Sequence, residues 1–595
     1  MNRRTTDNES RGYCMSISTR EGSPQFPTVA GSIVASTQEE MDIAVQALQE
    51  QKQAWVRTTL KERIAILDVL IHDFVAIAPQ WVSACLQAKG LSSEHPAEEW
   101  AVGPWPVLKT LSQLRQSIVD IESAGHPQIS GPVTTRPDGQ VIAQIFPQTL
   151  YDRILFTGVT AELWMEPEVT KEGLVETQAV AYRDAAHAGK VALVLAAGNV
   201  SSIAPLDILY KLFVEDQVVI LKTNPVNEYL GPLIEEGFRV LIQGGFLRVV
   251  YGGASEGAYL CNHDGVDEIH ITGSDKTFNA IVFGTGSEGE ARRKRNEPLL
   301  YKRVTGELGN VSPVIVVPGA WSDKDIAYHA EHIVTMLTTN AGFNCNATRV
   351  IITHKSWPQR EQLLQQIRKV LKQVPVRDSY YPGAQDRQKA FVAQHPDAEQ
   401  IGVAHSQQLP WTLIADVDAT NEDDICFTTE AFCGLFAETA LDAPDTATYV
   451  DKAVTFANET LWGTLNATII VSPSSLKDAN VADAIERAVA NLRYGTVGIN
   501  YWAGIGFALG TTTWGAFPGH SLDDIQSGTG VVHNTLMFDK PQKSVIRAPF
   551  RITPTPIWFV TQGRKADKVF PLIVDLEVSP SPLKLPAILW AAIVG

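Results

Sequence analysis

Cysteine is scarce in this chain and badly spaced for cross-linking. The 595 residues hold six (Cys14, Cys85, Cys261, Cys345, Cys426 and Cys433), with no Cys-x-x-Cys pair. Neither a disulfide framework nor a zinc or other metal site follows from that spacing, and a reducing, cytoplasmic compartment fits best. Long apolar runs are missing too. No stretch of 18 or more apolar residues occurs, so no membrane-spanning helix is expected. Positive charge is in deficit: the formal net charge is −17 and the pI about 5.3. Such a chain repels phosphate backbones, which excludes nucleic acid as a partner. The N-terminal residues carry charge but no apolar core, so they do not form a secretory signal. Residues 1–30 read as a disordered polar tail.

What is present is an ordinary globular composition, 45% hydrophobic. The chain is too long for one core, so two or three domains are expected. Residues 37–90 carry apolar side chains at helical spacing (Ile64, Leu67, Leu70, Ile71, Phe74). Residues 125–147 are rich in Gly, Pro and Thr and read as loops and extended chain. From residue 190 the pattern alternates. Short apolar strands at 191–196, 218–221, 247–251 and 266–271 are separated by helical stretches at 207–214 and 229–241 and a short one at 257–261. That alternation predicts an α/β fold with a doubly wound parallel sheet, whose ligands bind beyond the carboxyl ends of the strands. A second α/β region follows over 307–540, and residues 541–595 form an extension. Its last residues, 585–595, read LPAILWAAIVG. They are too short to span a bilayer and suit docking against the protein or a subunit partner, with membrane-surface contact the lesser reading.

Two segments carry the chemistry. Residues 305–313 read TGELGNVSP and offer the carboxylate of Glu307; residues 340–349 read NAGFNCNATR and offer the thiol of Cys345. A thiol nucleophile beside a carboxylate base is what covalent attack on a carbonyl requires. A lone cysteine is ordinarily packing, the reading given to Cys85 and Cys433. The polar, glycine-containing surroundings of Cys345 set it apart. Asn199 ends one strand and is placed either to donate to an oxyanion or to cap a turn. Lys222 ends the next. Thr272, Gly273 and Ser274 precede a helix whose N-terminus would favour a phosphate. Residues 284–289, GTGSEG, match a glycine-rich phosphate loop in letters only. Charge follows them instead of an apolar helix, so they read as a surface loop.

In this order the two segments resemble the signature regions of the aldehyde dehydrogenase superfamily, with likeness over residues 35–540. The resemblance implies a dinucleotide-binding domain (31–125 and 186–306), a catalytic domain (307–540) and a small oligomerisation element, for which 126–185 and the C-terminal extension are the candidates. It implies Cys345 as nucleophile, Glu307 as the base that activates water and Asn199 as oxyanion donor. Lys222 would hold the adenosine ribose of NAD or NADP. Gly252, Gly253, Thr272, Gly273, Ser274 and Leu308 would line the cofactor groove. Glu430 and Phe432 would meet the nicotinamide ribose and ring, and Asn500 would end a strand near the substrate. Three departures stand out: Ala197-Gly198 precede Asn199 in place of Pro-Trp, Pro225 stands where NAD-preferring members carry glutamate, and Gly434 replaces a proline. Glu228 is the candidate substitute for the missing carboxylate; without it NADP is as acceptable as NAD. The implied reaction is oxidation of a small aldehyde to an acid by a homo-oligomer, dimer or tetramer. Trp502 and Trp514, expected near the pocket mouth, point to an apolar or aromatic substrate. An acylating relative that releases the thioester to coenzyme A, and a catalytically silent cofactor-binding scaffold, are the two alternatives.

Overall fold

The computed structural model describes residues 21–184 and 186–594. The expected tail therefore lies outside the described residues up to residue 20. Its remainder departs from the expectation. Gly22 bridges to Thr429, and Ser23, buried, donates its N–H to Asp275 Oδ1 at 3.0 Å.

The N-terminal helices form because their sequences start and pattern them. Thr37 with Glu40, and Thr59 with Glu62, make reciprocal capping boxes that open helices Gln38–Arg57 and Leu60–Ala88. In the longer one Leu67, Leu70, Phe74, Ile77, Trp81 and Cys85 recur at helical spacing and are buried. Its most apolar 18 residues have a mean hydropathy of 1.5, enough by length and composition to cross a membrane. Here that stripe packs on helix Pro104–Ala124 and on the sheet behind it. The same helix carries buried Arg63, paired with Asp216 at 2.6 Å.

Two sheets organise the rest. The six-stranded sheet runs Gly528–Thr529, Arg303–Glu307, Glu268–Thr272, Val191–Leu195, Val218–Lys222, Leu247–Val250. All pairs are parallel except the Gly528–Thr529 edge. Val191–Leu195 lies between the strands that follow it in both directions, so the strand order reverses there. That is the switch point at which doubly wound sheets bind ligands. Its strands are buried on both faces, as continuous runs such as VALVL and VVILK require.

The second sheet has eleven strands. Seven are parallel: Pro541–Arg547, Thr496–Ile499, Asn466–Ile470, Ser312–Val316, Thr348–His354, Leu435–Leu441 and Trp411–Val417. At one end Val133–Thr135, Val141–Phe146 and Thr160–Met165 add an antiparallel meander on Pro541–Arg547. Residues 125–147, read as loops and extended chain, here supply two of these paired strands. Val141, Ala143 and Ile145 alternate inward as a half-buried strand, hidden in the sequence among prolines and glycines. The segment expected to serve oligomerisation thus extends its own chain's sheet.

The extension also packs. Helix Gly563–Val578 lies on Pro104–Ala124, where buried Lys109 meets Asp152 at 3.1 Å and Glu577 at 3.3 Å. The final helix, Leu585–Val594, docks through Ile588 and leaves Trp590 68% exposed. The GTGSEG segment is corrected as well: residues Gly286–Lys294 are helical. A helix, not a strand, precedes them, so the phosphate-loop context is still missing.

Candidate active site

Helix Asp323–Thr338 is followed by a turn in which Asn340 (φ 53°), Ala341 (φ 55°) and Gly342 (φ 79°) all adopt left-handed backbone. Asparagine and glycine accept this region; alanine does so at a cost of ~1–2 kcal/mol. The strain is held by a dense set of bonds. Asn340 Nδ2 donates to Asn199 O (2.9 Å), Phe343 O (3.2 Å) and Asn344 Oδ1 (3.1 Å). Its Oδ1 accepts from Lys89 Nζ and Tyr380 Oη, both at 2.9 Å. Lys89 in turn pairs with buried Glu99 at 2.8 Å. From the other side buried Arg349 donates to Gly342 O and Cys433 O, each at 2.6 Å, and to Asn344 O and Leu435 O, each at 3.2 Å. The loop between them carries Cys345.

Cys345 keeps part of its surface open. Its thiol lies beside the Glu307 carboxyl, and burial, with Glu307 and Glu430 nearby, holds it well above the usual thiol range. Glu307 ends strand Arg303–Glu307 and is buried. Burial pushes its carboxyl up to about 8, against the neighbouring Cys345 thiol and Trp514 N–H, which favour the anion. Trp514 Nε1 donates to Glu307 Oε1 at 3.3 Å. Both groups therefore rest in their neutral forms near neutral pH, side by side. Trp514 is fully buried beneath Glu307; it was expected at the mouth.

Asn199 stands at the same turn, but its amide is committed. Nδ2 donates to Phe343 O at 2.9 Å, two residues before the nucleophile. One of its two amide hydrogens is thus used to hold the loop. Asn500 follows strand Thr496–Ile499, and its Oδ1 accepts from Val471 N at 2.8 Å, a tie to the neighbouring strand end. Gly434 replaces proline for a steric reason, since a Cβ there would come within 2.6 Å of the Trp411 ring.

The groove residues divide. Lys222 is buried, makes no hydrogen bond or ion pair among the described residues, and is lowered to about 8 by burial, against the opposing pull of Glu256 and Glu228. Glu430 is buried with Oε1 unpartnered; burial raises it to about 7 against Arg349 and the Asn310 N–H. Phe432, in left-handed backbone, packs with Tyr381 (5.0 Å) and Phe26 (5.3 Å). Ser274 caps helix Asp275–Phe283 by accepting from Thr277 N at 3.2 Å. Gly253 N donates to Glu256 Oε2 at 2.6 Å, and Gly252 needs its φ of 134°. Thr272 and Gly273 are spoken for: the Thr272 hydroxyl donates to Asp207 Oδ2 (2.8 Å), and Gly273 N donates to Glu307 O (3.0 Å). Leu308 is buried, its N–H on Ser527 O at 2.8 Å. Glu228 is buried and turned to the Ile33 N–H, with Oε2 unpartnered. Sequence reasoning gave no role to Lys89, Asn340, Tyr380 or Arg349. Only the polarity of Asn340 and the basic end of NAGFNCNATR hinted at two of them.

Comparison with known proteins agrees with this geometry. The sequence model of the aldehyde dehydrogenase family matches residues 218–394. Aldehyde dehydrogenase LUC3 of Fusarium sp is 24% identical over 333 residues, 56% of this chain and 55% of that protein. An aldehyde dehydrogenase of Enchytraeus buchholzi is 35% identical over 129 residues, 21% of this chain and 22% of that one. The chain thus spans about half, or less, of the curated relatives it matches. Among solved structures, the NADP complex of a glyceraldehyde-3-phosphate dehydrogenase from Bacillus halodurans superposes with TM-score 0.57 at 18% identity, over 88% of this chain and 95% of that one. A Mycobacterium tuberculosis aldehyde dehydrogenase complexed with NAD+ does so with TM-score 0.57 at 18% identity, over 86% and 91%. These structures share the fold of this chain. Residues 218–394 thus match the aldehyde dehydrogenase family, and the chain as a whole shares the fold of these dehydrogenases.

Proposed function

We propose that the chain oxidises an aldehyde to a carboxylic acid through covalent intermediates on Cys345, using NAD or NADP. The observation that carries this is the partly open Cys345 thiol beside the buried Glu307 carboxyl, which accepts from Trp514 Nε1 at 3.3 Å. The groove supports a dinucleotide on its own terms. The unpaired Lys222 ammonium offers donors for ribose hydroxyls, the N-terminus of helix Asp275–Phe283 favours a phosphate, and the unpartnered Glu430 oxygen offers an acceptor for a ribose hydroxyl. When bound, the nicotinamide supplies the hydride acceptor.

The chain's own residues do the rest. Glu307, raised to about 8, takes the thiol proton in its anionic form, a minority at neutral pH that grows as pH rises toward that value. Sulfur then adds to the carbonyl carbon, and the second hydrogen of the Asn199 amide is placed to meet the developing oxyanion. One such donor is typically worth about 2.7–4 kcal/mol of barrier. After oxidation, a thioester on Cys345 is released by water that Glu307 deprotonates. A base beside the thiol favours hydrolysis over transfer to coenzyme A. Pro225 supplies no carboxylate and Glu228 is turned to Ile33, so a 2′-phosphate meets no direct repulsion and NADP serves as well as NAD. We place the enzyme in the cytoplasm as a homo-oligomer. The test is reduced-nicotinamide absorbance with a panel of aliphatic and aromatic aldehydes and each cofactor. Turnover that Cys345→Ser abolishes supports the reading. Turnover only with coenzyme A present would replace it with the acylating one, and cofactor binding without turnover under either condition with the scaffold.

A further inference from the structure

Helix Ala384–Gln394 ends at His395, whose N–H closes on Phe391 O at 3.0 Å. Asp424 caps the short helix Ile425–Thr428 by accepting from Cys426 N at 2.9 Å, which brings its carboxylate and the Cys426 thiol to one side. His395 faces both. Its Nε2 lies 3.0 Å from Asp424 Oδ1 and 3.6 Å from Cys426 Sγ, and all three ligand atoms lie within 4.8 Å of one another. Asn421 Nδ2 also donates to Asp424 Oδ2 at 3.4 Å.

These separations match a cation's needs. Zinc bonds of ~2.3 Å to sulfur, ~2.0 Å to nitrogen and ~2.1 Å to oxygen put tetrahedral ligand atoms about 3.3–3.6 Å apart. Nitrogen, sulfur and one carboxylate oxygen select zinc-class ions over calcium or magnesium. A thiolate and a carboxylate neutralise a dication, so the assembled site carries no net buried charge. Cys426 and Asp424 are buried, while the imidazole is 19% exposed and gives a way in. The linear sequence concealed this trio, because His395 stands 29 residues before Asp424 and no metal was expected.

We propose that His395, Asp424 and Cys426, with water in the fourth position, form a site for a zinc-class divalent cation. Binding releases the thiol proton to solvent and leaves the imidazole proton on Nδ1; sulfur, nitrogen and oxygen each bond the ion with no change of oxidation state. The site clips helix Ala384–Gln394 to the segment that carries Glu430 and Phe432. Arg387 of that helix already donates to Ala431 O at 3.1 Å and Phe432 O at 2.9 Å, so the ion would stiffen one wall of the cofactor groove. The inference stands independently of the aldehyde reaction.

The full chain, stripped of metal with a chelator and dialysed, is titrated with Co(II) and followed by the sulfur-to-cobalt charge-transfer band. One equivalent is expected to raise the band, and zinc to displace it. Cys426→Ser abolishes it. His395→Gln, at a partly exposed position, weakens binding at least ~10-fold with an unchanged circular dichroism spectrum. Cys345→Ser, which removes the one partly exposed thiol among the described residues, leaves the band intact. Absence of a band in folded wild-type protein under excess Co(II) overturns the proposal and leaves a His–Asp ion pair. A band that survives Cys426→Ser and vanishes in Cys345→Ser overturns it equally, by assigning the cobalt to the thiol beside Glu307.

Discussion

Helix Asp323–Thr338 carries two buried polar arrangements of opposite character. At its end, Asn340 joins Lys89, Glu99, Tyr380 and Asn199 in a network where the amide makes three donor bonds and accepts two. In its middle, His329 and His332 are buried with all four ring nitrogens unpartnered. They sit in an aromatic box. His329 lies 4.3 Å from Phe550, and His332 stacks on Phe559 at 5.3 Å. The satisfied network fixes the strained loop that carries Cys345. The orphaned pair binds the extension to the helix by burial alone, and only while both rings are neutral. A fully bonded cluster gives rigidity at any ordinary pH; an apolar one built of imidazoles gives attachment that acid can undo.

The largest expected effect comes from breaking the satisfied side. Lys89→Met leaves Glu99 buried and unpaired, and unfolding in urea should show a loss of ~3–5 kcal/mol. Asn340→Ala removes every bond of the hub at once. It should cost ~2–3 kcal/mol by the same measurement, because buried partners lose their bonds, and it should lower kcat more than its stability loss explains as Cys345 loses its fixed position. If stability falls with kcat untouched, the network is only structural.

The orphaned side gives a pH-dependent effect. Burial lowers His332 to about 3, and His329 lies well below its ordinary value. The unfolded chain therefore binds more protons than the folded one from about pH 6.5 downwards. Stability attributable to each ring is fully present above that pH and is lost at up to ~1.4 kcal/mol per pH unit as pH falls toward the folded value. Glu307 and Glu430, raised by burial, act in the opposite sense, so the difference between wild type and His332→Phe isolates the ring. The two should melt alike near pH 8 and diverge below pH 6, the variant being the more stable. The smallest effect is Trp514→Phe. Losing that N–H removes support for the Glu307 anion, so the basic pKa in the pH–rate profile should move up with little change in melting temperature.

Much of this was legible in the chain. Buried parallel strands announce themselves as VALVL and VVILK, and the segments that carry Cys345 and Glu307 stand out through their resemblance to the family's signature regions. What escaped the sequence was contact between distant residues. Lys89 and Asn340 meet across 251 positions, and Arg349 reaches Cys433 across 84. Direction escaped it as well: Thr272 turns inward to Asp207, and Asn199 spends an amide hydrogen on the loop. The strand Val141–Phe146 reads in the sequence only as loops and extended chain because its inward alternation is short and sits among turn-forming residues.

The central claim is that Cys345 and Glu307 act as nucleophile and base, and Glu307→Gln tests it most directly. With an aldehyde accepted by the wild type and either cofactor, rapid-mixing absorbance should show one burst of reduced nicotinamide, stoichiometric with enzyme, and then a stall as the thioester persists on Cys345. Sustained turnover of Glu307→Gln at the wild-type rate would contradict the account.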